Sequence, residues 1–219
     1  MDYEAVVFDL DGTLIESSAD DISWLYGAVR AALREFERSG AAEELEGRAL
    51  GKLAGIDGYK EYVSMCEKVE LRPREFWSHV SHHRAQAKLQ VVSQGDLGER
   101  AGATGLLESL HSRGLELGVV SNAPDEEVEK VVMERNWQEF LKFFRGVTGL
   151  DDLVRRKPDP WHIEMARAEL HRDTGLYVGD SRVDIEAAEG AGWDSVHLGE
   201  GERASYSVDE LNEIESIIR

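Results

Sequence analysis

The feature that most constrains this chain is a short apolar run that ends abruptly in two carboxylates. Ala5–Phe8 is β-branched and aromatic, which predicts a buried strand. Asp9 and Asp11 follow directly, and two carboxylates at the end of a buried strand are costly to keep ionised side by side. We therefore expect a cation between them, and Mg²⁺ is the ion that favours an oxygen-only site.

Further apolar runs also end in small or acidic residues, and helical patterns lie between them. The runs are 117–120 and 176–178 and, more weakly, 145–148 and 195–198. The helical patterns are 104–113, 125–144, 160–171, 183–191 and a terminal 209–218. This alternation predicts an α/β fold with a doubly wound, mainly parallel sheet, in which ligands bind at the carboxyl ends of the strands.

The segment 16–96 breaks this alternation. An apolar stripe at helical spacing begins at Ile22, and shorter helical patterns cover 42–53, 58–69 and 74–89. The sequence therefore predicts a helical cap domain, 16–96, inserted into a core domain made of 1–15 and 97–219. The stretches 15–19 and 93–102 would connect the two.

Composition narrows the partners and the compartment. A net charge of −19 argues against nucleic acid and anionic membranes, and no apolar run is long enough to cross a bilayer. A lone cysteine, Cys66, fits a reducing cytoplasm. Acidic excess with only seven lysines among 25 basic residues resembles salt-adapted proteins, although an ordinary acidic protein fits equally well. Monomer and homodimer both remain open.

Three later motifs carry polar groups to the same edge of the predicted sheet. Ser121-Asn122 follows the second strand and provides a hydroxyl with free backbone N–H groups, which suits an anion. Lys157 lies in a proline-flanked loop, where it can neutralise charge on a nucleophile. Asp180 ends a strand, and Asp184 lies one helical turn further on the same face, where it can support a metal through water or pair with Lys157.

Taken in order, these four motifs resemble those of the haloacid dehalogenase superfamily. Within that superfamily, the chain most resembles the branches of the phosphoglycolate phosphatases and the β-phosphoglucomutases. The helical insert resembles their type-one cap. The resemblance implies that Asp9 is the nucleophile and Asp11 the general acid/base. It also implies phosphate binding by Thr13, Ser121, Asn122 and Lys157, charge stabilisation by Lys157, and a Mg²⁺ site formed by Asp9, Asp11 (through its carbonyl), Asp180 and, in support, Asp184.

The resemblance implies a magnesium-dependent phosphatase that hydrolyses a small phosphorylated metabolite, phosphoglycolate-like or a sugar phosphate, through an aspartyl phosphate. Asp11 argues against dehalogenation, since halide needs no proton on leaving. A phosphomutase is the enzymatic alternative, and a non-enzymatic phosphoacceptor or scaffold is a more remote one. The cap residues Arg48 and Lys52 are candidates for substrate selection, and the usual Tyr-Pro-Gly turn is replaced by the sequence at 100–104.

Overall fold

A computed structural model describes residues 3–16, 22–199, 201 and 203–218. It confirms the α/β class: six strands form one sheet in the order β3-β2-β1-β4-β5-β6, and every neighbouring pair is parallel. The strands are β1 (Ala5–Phe8), β2 (Glu116–Pro124), β3 (Leu141–Val147), β4 (Gly175–Gly179), β5 (Asp194–Leu198) and β6 (Tyr206–Val208).

The described helices fall into two groups. Five form the helical insert that follows β1, namely α1 (Ser23–Glu35), α2 (Ser39–Glu44), α3 (Arg48–Leu53), α4 (Tyr59–Lys68) and α5 (Pro73–Gln94). The others precede or follow the strands, namely α6 (Ala103–Ser112), α7 (Asp125–Glu134), α8 (Trp161–Leu170), α9 (Arg182–Gly190) and α10 (Ile214–Ile217).

Helices cover both faces of the sheet. Alternate side chains of its central strand point to opposite faces, so each face presents apolar groups to the helices. Val6 and Phe8 of β1 join an apolar cluster with residues of α6 and α7. Ala5 and Val7 join a second cluster with residues of α8 and α9. All four side chains are fully buried. The carboxyl ends of the strands are thus the open edge of the layer, as expected for a doubly wound sheet.

The helices α1 to α5 have an apolar cluster of their own. The stripe predicted from Ile22 onward forms α1, and its residues Leu25, Val29 and Leu33 are buried against α3, α4 and α5. Val147, Leu150 and Leu153 of the later chain complete this cluster. Local helical periodicity therefore indicated the buried face correctly.

The chain leaves and rejoins the sheet region side by side. Ile15 and Glu99 form an antiparallel bridge, and the Glu16 N–H donates to the Gly98 carbonyl at 3.0 Å. Of the predicted connection 15–19, residues 17–19 lie outside the described residues.

The predicted helix 125–144 is wrong in its second half. Helix α7 ends at Glu134, Asn136 takes a left-handed φ of 58°, and a single 3₁₀ turn covers Trp137–Glu139. Strand β3 then begins at Leu141, four residues before the weak strand predicted at 145–148. The helical spacing of apolar residues simply runs on into a half-exposed strand, so periodicity does not mark the boundary.

Smaller differences occur at short elements. The predicted 42–53 helix is two helices, α2 and α3, separated at Leu45 to Gly47. The predicted terminal helix 209–218 is a 3₁₀ turn, Leu211–Glu213, followed by the single turn of α10. Strand β6 has three residues and was not predicted. No helix among the described residues is both long and apolar enough to span a membrane.

Candidate active site

Asp9 stands at the tip of the central strand, where its backbone N–H donates to Val178 of β4 at 2.8 Å. Its side chain is about nine-tenths buried and accepts a 2.7 Å bond from the Lys157 ammonium. Burial raises the pKa of Asp9 to about 7; the charges of Asp184 and Asp11 add to the rise, and Lys157 opposes it. A carboxylate in this position therefore needs additional positive charge to stay ionised at neutral pH.

Lys157 is the centre of the hydrogen-bond network. Besides Asp9, its ammonium donates to Asp184 Oδ1 at 2.6 Å, the Tyr177 hydroxyl at 2.8 Å and the Val120 carbonyl at 3.2 Å. Burial works against the charged form, but the carboxylates of Asp184 and Asp9 outweigh it and raise the pKa of Lys157 well above its usual value. Four acceptors already surround three ammonium hydrogens, so Lys157 has none to spare for a phosphate oxygen in this arrangement.

Asn122 fixes the loop that carries this lysine. Its side-chain oxygen accepts the Lys157 backbone N–H at 2.8 Å, and its side-chain nitrogen donates to the Lys157 carbonyl at 3.1 Å. Ser121 lines the cavity and accepts the Ala123 N–H at 3.1 Å, which leaves its hydroxyl hydrogen for a further acceptor. Ser121 and Asn122 thus lie at the predicted edge, one as a donor and the other chiefly as a brace.

Asp180 and Asp184 follow β4 and complete an acidic triad with Asp9. One carboxylate oxygen from each of these residues lies within 4.8 Å of the other two. Burial and the neighbouring Asp184 raise the pKa of Asp180. Asp184 is fully buried and also belongs to the capping box of α9, in which it accepts the Ser181 backbone N–H at 3.1 Å.

This triad fits a divalent cation. Three carboxylates face one ammonium, so the described charges leave the cluster negative, and hard oxygen ligands are those that Mg²⁺ prefers. Asp11 is not among the three carboxylates, because its side chain turns toward Lys88 of α5.

Thr13, unlike Asp9, Asp11, Ser121 and Asn122, does not line the cavity. Its side chain is fully buried, and its hydroxyl has no hydrogen-bond partner among the described residues. The cavity itself has a volume of about 840 Å³ and lies between the strand tips and the helical insert. The insert contributes Gly55 to Glu61 and Arg84 to its wall.

Arg48 and Lys52 do not line this cavity. Arg48 is largely exposed and contacts Asp57 at 3.2 Å, whereas Lys52 contacts Glu61 at 2.7 Å. These two cations therefore pair with acidic residues of the cavity wall without lining the cavity themselves. The cavity wall instead carries Lys60, Arg84 and Arg156 besides the predicted Lys157, and the sequence did not single out these three.

Three other residues at the site were also missed. Tyr177 looks like an ordinary strand residue, Lys88 like a helix-surface lysine, and Arg100 like a linker residue. Their contacts with Lys157, Asp11 and the Gly12 carbonyl join positions 20, 77 and 88 residues apart. No local pattern reports such distant partners. The adjacency of Arg156 to Lys157 in the motif was the one available signal.

Carboxylates at the carboxyl ends of the parallel strands surround one buried lysine, and a helical insert lies above them. This arrangement is that of an α/β hydrolase. Residues 6–198 match the family of haloacid dehalogenase-like hydrolases. The chain belongs to this family, which confirms the resemblance found in the motifs.

Curated relatives agree with this assignment, and a solved structure shares the fold. The chain is 32% identical over 191 residues to a phosphoglycolate phosphatase of Cereibacter sphaeroides, covering 85% of this chain and 81% of that protein. It is 29% identical over 220 residues to one of Pseudomonas savastanoi, covering 94% and 73%. CbbY of Rhodobacter sphaeroides, solved with phosphate, superposes with a TM-score of 0.70 at 19% identity, covering 97% and 96% of the two chains.

Proposed function

We propose that this chain is a magnesium-dependent phosphatase that hydrolyses a small phosphorylated metabolite of the phosphoglycolate type through an aspartyl phosphate. The contact of Asp9 with Lys157 at the floor of the cavity carries the proposal, because it presents a buried carboxylate beside a fixed cation. The Cereibacter and Pseudomonas relatives are phosphoglycolate phosphatases, which supports the substrate class.

The residues of the chain divide the work as follows. Asp9 attacks phosphorus, and Lys157 keeps it ionised and in place rather than binding the phosphate. Ser121 donates to a phosphate oxygen. Asp11 gives a proton to the departing oxygen and then takes one from the water that hydrolyses the aspartyl phosphate. Asp9, Asp180, Asp184 and the Asp11 carbonyl would hold Mg²⁺, which supplies charge neutralisation at the carboxylates and the phosphate.

We also propose that 16–96 acts as a cap domain over a core of 1–15 and 97–219. The separate apolar cluster of α1 to α5 and the adjacent connections at Ile15 and Glu99 support this division. Arg156 of the core holds the closed arrangement by donating to the Gly55 carbonyl at 2.9 Å and the Ile56 carbonyl at 2.8 Å. Closure excludes water from the cavity. The buried, unpaired Cys66 fits a cytoplasmic location.

The test is a panel of phosphomonoesters, including phosphoglycolate and hexose phosphates, assayed for inorganic phosphate with Mg²⁺ and without a bisphosphate activator. We expect turnover that chelation with EDTA abolishes and Mg²⁺ restores. A requirement for a bisphosphate, with no free phosphate released, would show a phosphomutase instead.

The nucleophile is tested by Asp9→Asn. We expect loss of turnover by at least about 1,000-fold with an unchanged circular dichroism spectrum, because the amide cannot attack phosphorus. The matched control is Asp173→Asn, since Asp173 is exposed and contacts Arg167 far from the cavity. Appreciable residual turnover in Asp9→Asn would refute covalent catalysis by this residue.

A further inference from the structure

A buried lysine of the helical insert contacts the general acid/base of the core. The side chain of Lys88, on α5, is only 1% exposed, and its ammonium forms an ion pair with the Asp11 carboxylate. The ammonium also lies 5.0 Å from the centre of the Trp24 ring, on α1. Lys88 is thus enclosed by the insert on one side and meets the catalytic loop on the other.

The cost of burying the Lys88 ammonium explains why it pairs with Asp11. An ammonium removed from water is costly unless a carboxylate or an aromatic face compensates it. The neighbouring buried cation, Arg84, has its own partner in Glu127 at 3.1 Å. The charge of Arg84 is therefore offset on α7, and Asp11 is left as the partner of Lys88. Glu127 feels the charges of Lys88 and Asp11 as well, so the four groups form one cluster.

The two members of the pair differ in their freedom. Lys88 is held by packing, whereas the Asp11 side chain is 38% exposed and lines the cavity. Asp11 also precedes Gly12, whose φ of +84° places the loop in a sharp turn away from the strand. Among the described contacts, Lys88 is the side chain that fixes the direction of the Asp11 carboxylate.

We infer that Lys88 is a positioning residue that aims Asp11 at the reacting oxygen atoms and thereby couples the position of the insert to acid/base catalysis. This inference rests on the proposed function. In the first step, Asp11 gives its proton to the bridging oxygen while the Asp9–phosphorus bond forms and the phosphorus–bridging-oxygen bond breaks. In the second, the Asp11 carboxylate takes a proton from water while the water oxygen bonds to phosphorus and the Asp9–phosphorus bond breaks. Lys88 keeps all its protons throughout.

The test is a double-mutant cycle on phosphate release with Lys88→Met and Asp11→Asn. Methionine keeps the length of the buried side chain and removes its charge. Alone, Lys88→Met is expected to lower kcat about 10- to 100-fold with a change in KM of less than about threefold, because misdirected acid/base catalysis affects the chemical steps. In the Asp11→Asn background, the same substitution is expected to cause no further loss, because the group that Lys88 positions is already gone.

The matched control is Tyr62→Phe, which removes a buried hydroxyl of the same insert from a residue outside the cavity wall and outside this four-residue cluster. Its fold-loss in kcat is expected to be the same in both backgrounds. Lys88→Arg, which keeps a cation, is expected to retain more activity than Lys88→Met, and it replaces Lys88→Met in the cycle if the latter does not fold.

Equal losses from the Lys88 substitution in both backgrounds would overturn the positioning role and leave only a structural one. Unchanged kcat in Lys88→Met would also overturn it. Absence of turnover in the parent chain on every substrate of the panel is a different result, because it overturns the proposed function and the role of Lys88 with it.

Discussion

Gly12 is the position at which the acidic triad leaves no room for a side chain. Its φ of +84° lies in the left-handed region, and a Cβ atom there would stand 2.0 Å from Asp180 Oδ2. Arg100 also donates to the Gly12 carbonyl at 2.6 Å. The loop after β1 and the tip of β4 can therefore approach each other only because this position has no side chain.

We predict that Gly12→Ala lowers kcat by at least about 100-fold, because Asp180 must leave its place and the oxygen cluster opens. Gly102→Ala is the matched control: Gly102 has the same φ of +84°, but a Cβ there meets nothing within 4 Å. The control should lose only about 1 kcal/mol of unfolding free energy and keep its activity. Steady-state kinetics and urea unfolding measure both, and equal activities in the two variants would contradict the argument.

At the scale of single elements, helix α8 contains a buried group that burial makes costly to protonate. His162 is fully buried, and neither ring nitrogen has a hydrogen-bond partner among the described residues. Burial lowers the pKa of His162 below its usual value, and the nearby charges of Arg145 and Lys157 act in the same direction against those of Asp152 and Asp125. The neutral ring is therefore the form that the fold accepts.

This lowered pKa gives a signed pH dependence. The unfolded chain takes up the His162 proton near pH 6.5 whereas the folded chain does so only at lower pH, so stability is complete above about 6.5 and falls below it. We predict that the unfolding free energy of the parent falls by up to about 1.4 kcal/mol more per pH unit than that of His162→Leu between about pH 6.5 and 5. Urea unfolding across this range measures the difference.

The control for this slope is His111→Gln, which replaces an exposed imidazole on α6. Parallel pH profiles for His162→Leu and the parent would show that the buried ring is not responsible for the loss of stability in acid.

The elements also show which parts of the fold a sequence can predict. β1 and β4 were recognisable because a fully buried strand is a continuous apolar run, and its abrupt acidic end marked the site. β3 was predicted only in its last residues, as the weak strand 145–148, because its middle residues are partly buried and its apolar spacing continues that of α7. Asp9 and Asp180 come together because each directly follows one of two neighbouring parallel strands, and Lys157 from a loop and Asp184 from the first turn of α9 join them.

The sequence could not predict which of the similar polar residues of the insert lie at the cavity. Arg48 and Lys52 lie in a glycine-bounded stretch that looked suited to a substrate, yet the structure places them behind the cavity wall. Arg84 and Lys88 are one turn apart on a long helix whose apolar pattern is weak, so their burial depends on which face meets α7. Tertiary contacts decide such cases, and one sequence carries no local record of them.

At the scale of the whole molecule, the net charge of −19 produces self-repulsion in the compact state. Screening by salt relieves this repulsion, since the Debye length falls to about 3 Å at 1 M ionic strength. We predict that raising NaCl from about 0.05 to about 1 M increases Tm by roughly 5 °C. NaCl is the suitable salt because sulfate also strengthens apolar burial. A flat or falling Tm would contradict the prediction and with it any adaptation to high salt.

The bridge between Ile15 and Glu99 has a consequence for how such a molecule can diversify. Because the chain departs and comes back at neighbouring points of one antiparallel pair, we expect that a short turn can replace the intervening helices with the strand order kept, at the cost of the contacts between α5 and α7. Val147, Leu150 and Leu153 would then need polar replacements, since they pack in the apolar cluster of the insert. The residues at the carboxyl ends of the strands can in this sense be kept, and we expect substrate preference to change when the helical insert is exchanged.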